Sequence, residues 1–391
     1  MMALSSFALP GFRPGIVSLE ANGMIYEGWL AAEVSRSVRE MAGQFSFEVS
    51  ERWSGGRDGP AALLGWRIRE GDPCVVRYSG VPVLTGYVDT YCPRYDADSH
   101  TVRIQGRSKT ADMVDSAADP DVPTGEMRKV TLDQVANKLA LPHGVKVKVQ
   151  ADIKDAFDVI RTLPGETKHE MLERYARHRA AALTDDTDGS LRILQVQDGA
   201  PVATLTEGVN ILEASATLRA DNRYSDYEVK GQDHGDDERW GREISEISAK
   251  VKDGAIKRYR PHVVVDDVKT AKIGARKRCE WECASRSGES TKVQIKVVDW
   301  FRAPGALWMP GDLVQVTSPM LAINRVLAVE NVAHQQSDRG GTTTDLSLVP
   351  PEALNPKAAS AQGGPGSGDS AGSVNDQRWS STKPSSMPLL Q

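Results

Sequence analysis

The sequence predicts a β-rich α+β protein in which one antiparallel β-unit occurs twice, with smaller α/β segments inserted. Three observations lead there. Short stretches of alternating apolar and polar residues recur along the chain, two capped helical segments lie together in its middle, and a Gly-Asp turn twice opens a similar run of strands.

Alternation with period two is plain in Phe45-Ser46-Phe47-Glu48-Val49 and in Val293-Gln294-Ile295-Lys296-Val297, the pattern of a strand with one buried face. The segments 72–78, 83–91, 100–105 and 322–332 also read as strands, bounded by Gly, Pro and Asp. Thr131 with Gln134 makes a capping box ahead of Leu132, Val135, Ala136 and Leu139, which share one helical face. Thr167 with Glu170 repeats the device ahead of Met171, Leu172 and Tyr175. A third helix, basic and less amphipathic, is expected over 267–285.

The duplication is read from two alignments. SVREMAGQFSFEVS (37–50) lies over TLRADNRYSDYEVK (217–230) without gaps, so that Phe47 meets Tyr227, Glu48 meets Glu228 and Val49 meets Val229, an offset of 180 residues. Gly71-Asp72 and Gly311-Asp312 each open an apolar strand, followed by a long strand, a polar turn and a closing strand; here the offset is 240 residues. The growth of the offset places one insertion within the second copy, and a further insertion separates the copies. The expected domains are 1–107, a first β-domain; 108–205, an α/β insertion; 206–235 with 290–352, the second β-domain; and 236–289, an inserted α/β element. From 353 to 391 the chain is rich in Gly, Ser, Pro and Ala and reads as a disordered tail, since it cannot bury enough apolar surface to offset its conformational entropy. A trimer of a two-unit chain would present six similar units in a ring, the geometry of an adaptor.

Composition narrows the function. With 391 residues, 40% hydrophobic and 26% charged, the chain is an ordinary globular one. A net charge of −5 argues against binding held mainly by nucleic-acid phosphates. The N-terminal residues lack a signal-peptide pattern, no apolar run reaches membrane-span length, and four cysteines in such a length are no disulfide scaffold.

Several motifs in order resemble one family. These are Tyr26-Glu27-Gly28-Trp29, Val34-Ser35-Arg36-Ser37, Gly86-Tyr87-Val88-Asp89 and the run from Gly106 through Arg107, Ser108, Lys109, Thr110, Ala111, Asp112, Met113, Val114, Asp115 and Ser116 to Ala117. They continue with Tyr227-Glu228-Val229-Lys230-Gly231, Arg258-Tyr259-Arg260-Pro261 and Leu307-Trp308-Met309-Pro310. Over about 18–352 the chain is similar to the baseplate hub proteins of Mu-type contractile phages, often called tail protein P. The resemblance implies two tube-like antiparallel β-barrel domains with two smaller α/β insertion domains. It also implies a homotrimeric, non-enzymatic ring that adapts the sixfold tail tube to the threefold central spike. Partners would be the spike, the tube or its initiator, and the baseplate wedges, with DNA only in passage and no membrane. The particle would be made in the bacterial cytoplasm and the protein would reside in the virion tail. Two other readings are a tail-associated peptidoglycan hydrolase and the hub of a phage-derived injection machine.

No enzymatic constellation emerges. Gly368-Asp369-Ser370-Ala371-Gly372 fits a nucleophile pattern but lies in low-complexity chain, without the strand-to-helix turn that the motif needs. Asp185-Asp186-Thr187-Asp188-Gly189 is out of register for a calcium loop, with Thr184 and Gln195 at the outer ligand positions, and reads as a hairpin turn. Cys279 and Cys283 lack two further zinc ligands, while His169 and His178 point to different helix faces. No cofactor or metal is expected. The residues singled out are therefore interface candidates: the basic Arg258, Arg260, Arg276 and Arg278, and Trp308, for which a core plug is the competing reading. Arg107, Lys109, Thr110, Asp112 and Asp115 are carried as family-motif residues.

Overall fold

The computed structural model describes residues 15–50, 68–96, 100–122, 124–177, 179, 181–196, 199–231, 247–265, 272–338 and 340–354. The first β-unit comprises β1 (Val17–Ala21), β2 (Met24–Tyr26), β3 (Ala31–Ser37), β4 (Gln44–Ser50), β5 (Pro73–Tyr78), β6 (Val81–Tyr95) and β7 (His100–Ser108). Their order in the sheet is β3-β4-β7-β6-β5-β1-β2. Alternation sends Phe45, Phe47, Val76, Leu84, Val88 and Ile104 to one face, where each is at most 3% exposed. Burial of each such side chain contributes roughly 1.5–3 kcal/mol.

The α/β segment that follows contains α1 (Ala111–Asp115), β8 (Glu126–Val130), α2 (Leu132–Ala140), β9 (Val147–Gln150), β10 (Phe157–Arg161), α3 (Lys168–Arg177), β11 (Ala182–Asp185) and β12 (Leu191–Leu194). Both expected capping boxes form. Thr131 N–H donates to Gln134 Oε1 at 3.1 Å ahead of α2. Thr167 N–H donates to Glu170 Oε2 at 2.8 Å, while Glu170 N–H returns to Thr167 Oγ1 at 3.1 Å. The faces these caps set in register, Leu132, Val135, Ala136 and Leu139 with Met171 and Leu172, close a separate core over Ile160, Leu191 and Ile193.

The second β-unit consists of β13 (Ala203–Thr206), β14 (Glu213–Leu218), β18 (Thr291–Val298), β21 (Leu313–Ser318), β22 (Ile323–Ser337) and β23 (Gly341–Val349). Between β14 and β18 lie β15 (Asp226–Gly231), β16 (Ile247–Lys252), β17 (Pro261–Val265) and α4 (Lys272–Glu289). The short pair β19 (Phe301–Ala303) and β20 (Ala306–Leu307) precedes β21, with Phe301 and Leu307 packed on the first unit's core. The unit's order, β14-β18-β23-β22-β21-β13, repeats β3-β4-β7-β6-β5-β1 strand for strand. Its last pair differs in sense: β13 runs parallel to β21, whereas β1 runs antiparallel to β5.

The Gly-Asp turns match atom for atom. Gly71 and Gly311 hold φ of +86° and +89°, a left-handed conformation that favours glycine. Gly71 N–H donates to Val88 O at 2.7 Å and Val88 N–H to Asp72 O at 3.0 Å. Gly311 with Val329 and Val329 with Asp312 repeat these bonds at 2.9 and 2.8 Å. The long strands β6 and β22 carry a bulge just beyond, at Val88/Thr90 and Val329/Asn331. A bulge turns the strand, so its two halves take different neighbours.

One expectation is refined and one corrected. Closure into barrels is not seen among the described residues, where the two units form one thirteen-stranded sheet in which the second half of β22 pairs with β3 and so joins unit to unit. The segment 217–230 is also not the counterpart of 37–50. β15 belongs to a three-stranded sheet with β16 and β17, and the true partner of β4 is β18: Phe47 faces Ile104 just as Ile295 faces Leu346. Period-two alternation is the same in any half-buried strand and does not say which sheet the strand joins. The inserted element thus begins after Leu218 and rests on a small core of Tyr227, Val229, Ala249 and Cys279. At the other end, a short turn over Pro351–Leu354 buries Pro351 and Leu354. The acidic run at 236–239, His178 and the tail with its Gly368–Gly372 match lie outside the described residues.

Candidate assembly interface

The family-motif residues sit where the first β-unit hands over to the α/β segment. Arg107, at the end of β7, donates to Asp89 Oδ2 at 2.6 Å and forks onto Asp115 at 3.2 and 2.7 Å. These two carboxylates push its guanidinium further above its ordinary range. The Thr110 hydroxyl donates to Met41 O at 2.6 Å and lies 2.8 Å from Ser108 Oγ, while Lys109 N–H donates to Thr85 O at 3.1 Å. Asp112 lies on α1 beside Met113, which is fully buried in the α/β core. The motif therefore fixes one domain on the other.

A second tie was not foreseen. Arg36 on β3 donates through Nε to Asp185 Oδ2 of β11 at 3.0 Å, with both side chains at most 2% exposed. The other arm of Arg36 binds the Val83 carbonyl of β6. A signal existed: in Ala32-Glu33-Val34-Ser35-Arg36 the arginine shares the apolar face, and a buried charge requires a partner.

At the joint between units, His334 of β22 stacks on Trp300 with ring centroids 5.2 Å apart. The Thr344 hydroxyl donates to Asp299 O at 2.7 Å, so at 3.0 Å it accepts from His334 Nδ1–H. Burial, reinforced by the charge of Arg36, pushes the His334 imidazole down to about 3, from 6.5 in an open chain. The unfolded chain therefore takes up this proton first as pH falls. The stability contributed by the neutral ring is complete above about pH 6.5 and is lost towards pH 3, at about 1.4 kcal/mol per unit. Between pH 6.5 and 5 the loss is about 2 kcal/mol. Urea midpoints at both pH values should fall further for the wild type than for His334→Gln; equal falls would show that another group sets the acid sensitivity.

The interface candidates fare differently. Arg258 is exposed, beside Tyr259 at 83% exposure. Arg260 is partly tied down, donating to the carbonyls of Ala220 and Asp221 at 2.9 and 2.8 Å and lying over the Tyr224 ring. Arg276 is exposed on α4 and pairs with Glu280 one turn on, at 3.0 Å. Arg278 lies on the same helix, but its side chain is outside the described residues. Trp308 is 4% exposed and packs with Val314, Val316 and Leu327, so its ring serves the chain's own core rather than a surface. The aspartates after Asp185 are met by a lysine: Lys148 Nζ lies 2.6 Å from Asp186 and 3.0 Å from Asp188. No group of three potential metal ligands occurs among the described residues. Cys74 and Cys279 are buried free thiols, and Cys92 is exposed.

Sequence reasoning missed the apolar side chains exposed along two sheet edges. On β6 Tyr95 is 78% exposed, and at β14 Leu212 and Leu218 are 55% and 57% exposed. Identifying them requires knowing which strands lie at an edge.

Comparison with known proteins gives four family models in succession. They are the Mu phage baseplate assembly protein GpP-like N-terminal domain over 16–108, the baseplate hub protein gp44-like second domain over 110–195, the tail protein NMB1110-like third domain over 223–279, and the Mu phage baseplate assembly protein GpP fourth domain over 270–357. The baseplate hub protein gp44 of Escherichia phage Mu is 30% identical over 370 residues, covering 92% of this chain and 94% of that one. The 43 kDa tail protein of prophage MuSo2 from Shewanella oneidensis superposes with a TM-score of 0.76 at 32% identity, over 87% of this chain and 99% of that one. The tail protein from Neisseria meningitidis MC58 shares the fold, with a TM-score of 0.69 at 24% identity over 88% and 98% of the two chains. The domain-to-domain ties and the repeated β-unit thus lie on a scaffold shared along nearly the whole of both chains, and the protein belongs to the Mu-type baseplate hub family, a structural component of a phage tail baseplate and not an enzyme.

Proposed function

We propose that three copies of this chain form the ring at the centre of the baseplate, adapting the sixfold tail tube on one side to the threefold central spike on the other. The carrying observation is the repeated strand order, β3-β4-β7-β6-β5-β1 and β14-β18-β23-β22-β21-β13. Two units of one topology per chain become six in a trimer, which can match a sixfold object while remaining threefold in sequence. The partners on this reading are the spike, the tube or its initiator, and the wedge proteins. DNA only passes through, consistent with a net charge of −5 that gives phosphates little overall attraction. The protein would be made in the host cytoplasm and end in the virion.

Light scattering on the purified full-length chain tests this directly. A mass of three chains, alone or on adding the spike protein, is expected. A chain that stays monomeric with the spike present would remove the ring reading.

A further inference from the structure

We propose that the inserted element is a hinged arm, which turns as one body about the end of the β14–β18 ladder and is latched by the turn Pro351–Leu354. The inference concerns a single chain and goes beyond the trimeric reading above.

The element is built as a body of its own. Tyr227, Val229, Ala249 and Cys279 make its core, and none of them belongs to the cores of the β-units or the α/β segment. Arg223 Nε donates to Asp253 Oδ2 at 2.9 Å and Nη2 to Oδ1 at 3.0 Å, with the two side chains 18% and 8% exposed. Tyr224 stacks on His262, ring centroids 4.4 Å apart. The rest of the chain, by contrast, is tied into one piece. Leu194 and Val196 of the α/β segment pack with Leu313, Ala328 and Val349 of the second unit, and β22 pairs with β3 of the first.

The pivot lies where the ladder ends. Its last pair is Leu218 opposite Thr291, and one further bond runs from Arg219 N–H to Ser290 O at 2.8 Å. The linker beyond is held by the arm. Arg260 grips the carbonyls of Ala220 and Asp221, and Arg286 Nη1 donates to Asn222 Oδ1 at 2.7 Å. Linker and arm therefore move together, and the turning falls on Arg219 and Ser290. A hinge needs no more than a few residues at the ends of elements.

The main contact beyond this neck is a seat. Gly288, near the end of α4, meets the turn so closely that an added Cβ would lie 2.7 Å from Ala353 N. The turn is anchored in the body, since Pro351 is buried and Leu354 packs with Val38, Leu194 and Val196.

Beside the seat a cleft of about 570 Å³ parts the arm from the body. Asp221 and Glu289 line it from the arm, Arg39 and Lys292 from the body. Carboxylates thus face cations across the gap. Arg39 is shared with Glu330 and Asp221 with Arg219, whereas Glu289 and Lys292 are exposed and make no ion pair among the described residues. Attraction between the lips draws the arm inward, and the Gly288–Ala353 contact stops it. Exposed charges attract weakly and are screened by salt, so the pose is a bias that a neighbouring protein can overcome. Domains joined through so small a contact move relative to one another by default. The turning arm carries Arg258, Tyr259 and Arg276 with it and leaves the large sheet unchanged.

The test reads one distance within the full-length chain. Spin labels at Ser248→Cys on the arm and Met320→Cys on the body, both exposed positions, report it by pulsed dipolar resonance. The background is Cys92→Ser with Cys283→Ala, diluted with unlabelled chain so that only pairs within one chain are read. At low salt a single narrow distance is expected. Gly288→Val, which removes the seat, should shift it. Lys292→Glu should broaden it, and so should high salt without any further substitution. Labels at Leu141→Cys and Met320→Cys, both on the body, should hold their distance throughout. Cys279, fully buried in the arm, should stay unreactive to a thiol reagent wherever the arm remains folded. A Gly288→Val chain with Cys279 protected and the arm distance unchanged overturns the hinge. If Gly288→Val exposes Cys279, the arm has unfolded, and Lys292→Glu decides: an unchanged distance there overturns the proposal. A distance as broad at low salt as in the variants overturns the latch.

Discussion

Replacing Asp185 by alanine is expected to lower stability by about 3–5 kcal/mol, the range for removing one partner of a buried ion pair. The carboxylate is 1% exposed, and Arg36 opposite it is 2% exposed. Without Asp185 the guanidinium stays buried with only the Val83 carbonyl as acceptor, and its Nη1 already lacks one. Water would not easily fill the gap, because Gly43 lies so close that an added Cβ there would sit 2.8 Å from Asp185 Oδ2. The pair is not the most stable solution for its volume: Arg36→Met with Asp185→Leu should recover most of the loss, since apolar side chains of similar size carry no desolvation cost. Chemical denaturation of the two single variants and the double variant measures this. A loss below about 1 kcal/mol in Asp185→Ala would mean that solvent reaches the pair and that it behaves as a surface contact.

Trp300→Ala is expected to cost a similar 3–5 kcal/mol. Trp300 is fully buried, yet it belongs to the second unit while packing in the core of the first. Its ring lies 4.8 Å from Tyr78 and 5.2 Å from His334, and Nε1 donates to Gln335 O at 2.9 Å. Asp299, at a φ of +68°, anchors the turn by accepting from Tyr78 Oη and from Trp300 N–H, each at 2.6 Å. The cavity left by alanine would therefore open at the seam between units, and limited proteolysis should show earlier cleavage there. Trp300→Phe should recover more than half of the loss, leaving mainly the unmet Gln335 carbonyl, worth about 1 kcal/mol. Equal instability of the two variants would point to the hydrogen bond rather than the ring as the main contribution.

The sequence by itself determined what depends on near neighbours in the chain. Alternation marked β4 and β18, the Thr131–Gln134 and Thr167–Glu170 boxes marked the starts of α2 and α3, and Gly71-Asp72 and Gly311-Asp312 marked the same turn in both units. Each of these is decided within a few residues by backbone sterics, side-chain period or a local hydrogen bond. The motif from Gly106 to Ala117, which directed the sequence to its family, encodes a compact local handover from strand to helix.

What only the tertiary structure decided is which elements meet. Phe47 and Tyr227 sit in strands of the same period, yet one belongs to the large sheet and the other to the inserted one, because pairing is chosen by long-range packing. Trp308 and Tyr95 are both large aromatic side chains near turns or strand ends. One fills the core and the other is 78% exposed at an edge, since burial depends on what lies across the sheet. Arg36 and Asp185 stand 149 residues apart and carry opposite charges like dozens of other pairs. Only the docking of β11 against β3 and β6 removes the water that would have screened them, and burial of both charges in one site makes the contact specific.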